Sequence, residues 1–149
     1  MDKKRLTKVL VRADKSEVAA LTAEIQKTHI PIIVKEPCKT LTMVKLRDPV
    51  KRGMFFIGEV IICEAAVEID GVQGVSVLME DDMEKVLDMA IIDAAVNNGV
   101  FNDFERLAEL EEKQNKSEMQ EHVMDLRTPG NFESINQEAP DELAANKKA

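Results

Sequence analysis

Apolar positions at the start of the chain recur at helical spacing. "DKKRLTKVLVRA" places Leu6, Val9 and Leu10 on one face, and "DKSEVAALTAEIQKTH" does the same with Val18, Leu21 and Ile25. Asp14 and Glu17, three residues apart, predict a capping box for the second helix, and Pro31 closes the pair. The period then shortens. "IIVKE" and "TLTMVKLRD" predict two strands separated by Pro37, and Pro49 and Gly53 bound a basic loop, "DPVKRG". Ile61, Cys63, Ala65, Val67 and Ile69 alternate with Ile62, Glu64, Ala66 and Glu68, which predicts a long strand with its odd positions towards the core. Asp70 and Gly71 make a hairpin signal, and "VSVLME" returns as the antiparallel partner. Asp81 or Asp82 caps the next helix. Met83, Val86, Leu87, Ala90, Ile91 and Ala94 form its apolar stripe, and Gly99 ends it.

The pattern thins after residue 101. Asn102 and Glu105 repeat the capping-box spacing, and Phe104, Leu107 and Leu110 leave only a narrow stripe. "EEKQNKSEMQEH" is nearly all polar, with Glu109 and Lys113, and Glu112 and Lys116, at i,i+4. A helix with so little apolar surface needs a partner chain or remains a solvated arm. "VMDLRTPGNFESINQ" adds Leu126, Phe132 and Ile135 without a period, and the chain ends in a polar tail. The expected class is α+β: two N-terminal helices, an antiparallel sheet of about four strands, a helix packed on the sheet, then a long charged C-terminal helical arm and an extended tail. The corresponding divisions are a core domain at 1–100, an arm and partner-docking segment at 101–136, and a disordered tail at 137–149.

Composition sharpens this picture. A hydrophobic fraction of 44% with no Trp or Tyr and five Phe means a core of aliphatic side chains. Residues 1–53 hold 13 Lys and Arg against 6 Asp and Glu, a net of +7, whereas residues 54–149 hold 7 against 22, a net of −15. This asymmetry biases the choice of partner, with the basic part suited to phosphorylated ligands or an acidic subunit. The basic residues form no nucleic-acid motif, so nucleic acid is not an expected partner. No charged leader with an apolar run opens the chain and no stretch approaches a membrane span, so a cytoplasmic location without membrane attachment is expected.

Candidate chemistry is sparse. Cys38 and Cys63 have no His or Cys at ligand spacing, so no metal site is expected, and Cys63 reads as a small core residue. Glu59 shares the odd face of the long strand and is expected to point inward near its start. Asp93 returns to the middle of the apolar helical stripe seven residues after Val86. Buried carboxylates need donors, either within this chain or on a partner. An acid–base pair of the two would need a shared pocket, and no nucleophile, phosphate loop or dinucleotide fingerprint accompanies them. His29, at a helix end, and His122, on the charged arm, read as surface residues. No catalytic residue is therefore assigned. Phe55 and Phe56 point to opposite faces of a strand, so one of them needs cover from the chain's own helices or from another protein.

"FFIGEV", then "AAVEIDGVQGVSVLMEDD", then "LDMAIIDAAV" resembles the core signature of the PhnG family, small subunits of the bacterial carbon–phosphorus lyase system. "TLTMVKLRD" and "NFESI" resemble its flanking motifs, so the similarity spans roughly residues 3–136. "TPGNF" departs from the basic residue and Val that the family more often has there. The resemblance implies an accessory subunit of the α-D-ribose 1-methylphosphonate 5-triphosphate synthase, a transferase complex that displaces adenine from MgATP with an alkylphosphonate. It implies chemistry mainly on PhnI, association with PhnI, PhnH and PhnJ, no cofactor bound to this chain itself, and MgATP as substrate of the complex. Activity is then expected only in the assembly. On this reading Phe55, Phe56, Glu59, Asp93, Phe104 and Phe132 are candidates for the partner interface, and Lys45 and Arg47 lie nearest the phosphates. The alternative is a stand-alone acidic adaptor or regulator that shares only the fold.

Overall fold

Leu6, Val9 and Leu10 are buried in the first helix, α1 (Lys3–Arg12), and Ala13 leaves it in extended conformation. Helix α2 (Lys15–Gln26) buries Val18, Leu21 and Ile25 as its periodicity requires. The computed structural model describes residues 2–126. The expected capping box of α2 does not form: the Asp14 side chain makes no cap bond, and its carbonyl accepts from the amides of Glu17 and Val18. Lys15 at the start of the helix instead pairs with Asp82 and Glu84.

Among the described residues the sheet has three strands rather than about four. Ile32–Arg47 is one continuous strand, β1, paired antiparallel with β2 (Met54–Ile69), which pairs antiparallel with β3 (Val72–Leu78). Pro37 does not divide β1, because it lies on an edge strand between Lys35 and Cys38, where the register shifts. A proline lacking its N–H is tolerated at such an irregularity. Asp48 shapes the turn into β2, its carboxylate accepting from the amides of Val50 (2.8 Å) and Lys51 (3.1 Å). The β2–β3 turn uses Asp70 (φ 50°) and Gly71 (φ 82°), the two positive angles of a tight hairpin.

Helix α3 (Met83–Asn98) starts at Asp82, whose Oδ1 accepts from the Lys85 amide at 2.9 Å. It ends at left-handed Gly99, with Val100 N donating to Ala95 O and Gly99 N to Val96 O, a Schellman stop. Burial runs wider than one stripe: Met89, Ile92 and Ala95 join Val86, Ala90, Ile91 and Ala94, while Met83 is exposed and Leu87 half-buried. The helix packs on the sheet and against α2 as well, so the broad burial has a physical cause. Its approach to β3 is close enough that a Cβ on Gly74 would lie 2.2 Å from Ala94 N and 2.4 Å from Ala90 O.

Helix α4 (Phe104–Leu126) begins one residue later than the expected box, with Leu107 N bonding Asp103 O. Its narrow stripe is put to use in the core, where Leu107 and Leu110 are buried beside Phe101. Arg5 clasps Glu111 through two bonds of 2.7 and 2.6 Å, and Gln114 Nε2 donates to Val9 O at 3.0 Å. The first compact unit ends at Gln114 and a second begins at Asn115, in which Met119, Val123 and Met124 are exposed. Phe132 and the expected extended tail lie outside the described residues.

Replacing Gly74 with Ala should destabilise the fold by on the order of 3 kcal/mol, because the added methyl meets helix backbone that has nowhere to go; urea unfolding of both proteins measures it. Replacing Asp82 with Ala should cost about 1 kcal/mol at pH 7. The Lys85 amide holds the Asp82 carboxyl below the usual carboxylate range. The cap is therefore fully present above about pH 4 and is lost as pH falls through the lowered value. The difference between wild type and variant should shrink over that acid range in denaturant melts.

Candidate partner-binding surface

Cross-strand partners in an antiparallel pair share a face, so the register assigns every paired side chain of the sheet. Cys63, Ala65, Val67 and Ile69, with Ser76 and Gly74 of β3, lie on the face that α3 covers. Following that face outward along the β1–β2 hairpin gives the pairs Cys63 with Lys39, Ile61 with Leu41, and Glu59 with Met43. One residue of β2, Ile57, is then extra at the register shift, and the face continues through Phe56 with Lys45 and Met54 with Arg47. The opposite face of this outer half carries Thr40, Thr42, Val44 and Leu46 of β1 with Ile62, Val60, Gly58 and Phe55 of β2.

Burial stops abruptly along this face. Cys63 is 1% exposed, whereas Ile61 is 65%, Leu41 61%, Met43 54%, Met54 60% and Phe56 52% exposed. This corrects two expectations: Ile61 is not a core residue, and Glu59 does not point inward but is exposed. The parity was right, but the covering layer ends at Cys63, so residues beyond it have no core to face. Strand β3 ends opposite the same residue, leaving the outer hairpin as a two-stranded ribbon. Lys39, Lys45 and Arg47 lie along the same face, with the Lys45 ammonium 5.0 Å from the Phe56 ring centroid, a cation–π contact. Lys39 pairs with Asp81 at 2.6 Å, and its ammonium is held above its ordinary pKa by that bond. The surface is thus apolar and predominantly basic.

The carboxylates do not converge. Asp93 Oδ2 accepts from Lys3 Nζ (2.9 Å), the Val75 amide (2.9 Å) and Asn97 Nδ2 (3.3 Å), so its donors lie within this chain. It lines a cleft with Leu6, Leu10 and Met89, which Glu59 does not enter. A second cleft, polar, gathers Arg12, Lys15, Glu80, Asp82 and Lys85, where the buried Lys85 ammonium donates to Val11 O at 2.8 Å. Burial pushes the Asp88 carboxyl up, and the Arg5 hydrogen bond holds the Glu111 carboxyl down. His29 stays near the surface, with Nδ1 2.8 Å from Thr28 Oγ1, and His122 is exposed. Among the described residues no cluster of His, Cys, Asp and Glu could hold a metal ion, and no helix is long and apolar enough to cross a membrane.

The partner candidates therefore scatter. Phe55, Phe56 and Glu59 come together with Lys45 and Arg47 on the outer hairpin, on its two faces. Phe104 is partly exposed and meets Phe101 edge to face at 5.0 Å, and Asp93 braces the interior. Leu41, Met43 and Met54 belong to the surface but were not singled out by the sequence, and Ile61, read as core, belongs to it too. Their signal was present in a hairpin whose apolar residues run on after a helix of the observed length can no longer cover them.

A family model described as phosphonate metabolism protein PhnG matches residues 1–136. No curated protein matches the chain.

If the outer hairpin contributes nothing to the chain's own core, Leu41→Thr with Phe56→Thr should shift stability by under about 1 kcal/mol, Thr being a good strand residue. Val67→Thr, at a buried position of the same face, should cost clearly more. Urea midpoints compare the two.

Proposed function

Because the chain belongs to the PhnG family of phosphonate metabolism proteins, we propose that it is an accessory subunit of the carbon–phosphorus lyase pathway, acting in the α-D-ribose 1-methylphosphonate 5-triphosphate synthase. In this role it does not carry the displacement of adenine from MgATP itself. It scaffolds a PhnI-type partner that does, within an assembly containing PhnH- and PhnJ-type subunits.

The observation that carries this reading is the bare outer half of the β1–β2 hairpin. Five large apolar side chains on one face are half or more exposed, beside three cations. A two-stranded ribbon is at best marginally stable in water, and contiguous apolar surface of this kind marks protein contact. The carboxylates support the same assignment, since Asp93 is consumed by structural bonds and Glu59 stands apart from it. Lys45 and Arg47 would lie at the edge of the partner's phosphate-binding region, contributing field rather than chemistry.

Phe56→Ala should weaken copurification with the coexpressed PhnI-type subunit at least tenfold while leaving the far-ultraviolet spectrum of the isolated chain unchanged. Lys45→Gln with Arg47→Gln should raise the assembled complex's KM for MgATP several-fold, measured by adenine release. Undiminished copurification and an unchanged KM would overturn the roles given to Phe56, Lys45 and Arg47, whereas a wild-type chain that elutes apart from all the other subunits would favour the stand-alone adaptor.

A further inference from the structure

We propose that the occupant of the outer hairpin is an amphipathic helix with acidic flanks, donated by the partner subunit and laid on the face that α3 covers further in. This rests on the functional reading above and specifies how the contact is made.

Three observations single out a helix on this face. The apolar row Ile61, Leu41, Met43, Phe56 and Met54 continues the row that ends at buried Cys63, so the surface extends an interface the protein already builds between sheet and helix. Among the described residues, no element covers the row beyond that point. The free strand edges are poorly suited to receive another strand, because β1 carries two register shifts and Pro37 at its inner end and cations along its length, and the third shift, at Ile57, puts a bulge in the outer part of β2. Charge then selects the chemistry. Lys39, at the inner end, is already paired with Asp81, but further out Lys45 and Arg47 outnumber Glu59 on this face, and Lys51 and Arg52 follow in the turn. A helix with Asp or Glu beside its apolar stripe would meet cations along the outer part of this face.

The opposite face offers a weaker seat. Its paired β1 positions include Thr40 and Thr42, its β2 positions include Gly58, and Val44 and Val60 are already half-buried.

The test uses the full chain coexpressed with the PhnI-, PhnH- and PhnJ-type subunits, with p-benzoylphenylalanine replacing Met43, Phe56 or, on the opposite face, Leu46. Photocrosslinks are mapped by mass spectrometry. The expected result is crosslinking from positions 43 and 56 to one partner segment, at sites three or four residues apart and flanked by acids, with at least tenfold less from position 46. Lys45→Glu with Arg47→Glu should abolish the same crosslinks. Contacts spaced two residues apart would indicate an added strand and overturn the inference. So would crosslinks mainly from position 46, or crosslinks to a second copy of this chain; in these cases the accessory-subunit reading stands. If no complex forms with all subunits present, both the reading and the inference fall.

Discussion

Backbone-to-backbone contact between α3 and β3 at Gly74 sets the geometry of the first compact unit. With no Cβ at that position, Ala90 and Ala94 press directly on the strand. The close approach lets Asp93 reach the Val75 amide and Asn97 Nδ2 reach the Gln73 carbonyl, so helix and strand are joined by polar as well as apolar contact. Asp93 also receives Lys3, which ties α1 to the same seam, while Ser76 donates to the Val86 carbonyl nearby. A carboxylate this deeply buried is tolerable because an ammonium, a backbone amide and a side-chain amide all donate to it. The seam therefore makes Asp93 a structural residue, although its place in the stripe could have suited chemistry.

The same helix also defines the functional surface by where it ends its coverage. Inside Cys63 the sheet has three strands and a helical layer; outside, it has two strands, and the face that α3 covers further in is open to water. The amino acids do not change character at that boundary. Leu41, Met43, Phe56 and Ile61 are as apolar as the residues under α3, and they persist where burial by the chain itself cannot reward them. In the proposed accessory role, such surface positions a catalytic partner without this chain supplying a reacting group.

The electrostatic asymmetry takes on a spatial meaning in the same frame. The cations of the first third of the chain are partly spent on internal pairs, such as Arg5 with Glu111 and Lys35 with Glu64. Others are carried outward on the hairpin, where Lys45 lies over Phe56. Exposed contacts of this kind contribute little stability; in the proposed docking they would steer and select an acidic partner.

Local chemistry determined the elements. Helical spacing at Leu6–Leu10 and Val18–Ile25, positive-φ residues at Asp70 and Gly71, the Asp82 cap and the Gly99 stop all appear where the sequence placed them, because each depends on neighbours within a few residues. So did the resemblance to the PhnG family, which rests on ordered local segments and agrees with the match over residues 1–136. Capping boxes at Asp14 and Asn102, a break at Pro37 and a buried Ile61 were equally legible as local patterns, yet tertiary structure decided otherwise. Asp14 precedes the helix without a side-chain cap bond, register shifts absorb Pro37 on an edge, and Leu107 and Leu110 enter the core that Phe101 helps to close. Whether an apolar position is core or interface depends on how far a distant helix reaches over the sheet. Alternation reports which face a residue occupies; only the packing of α3 decides whether that face is covered.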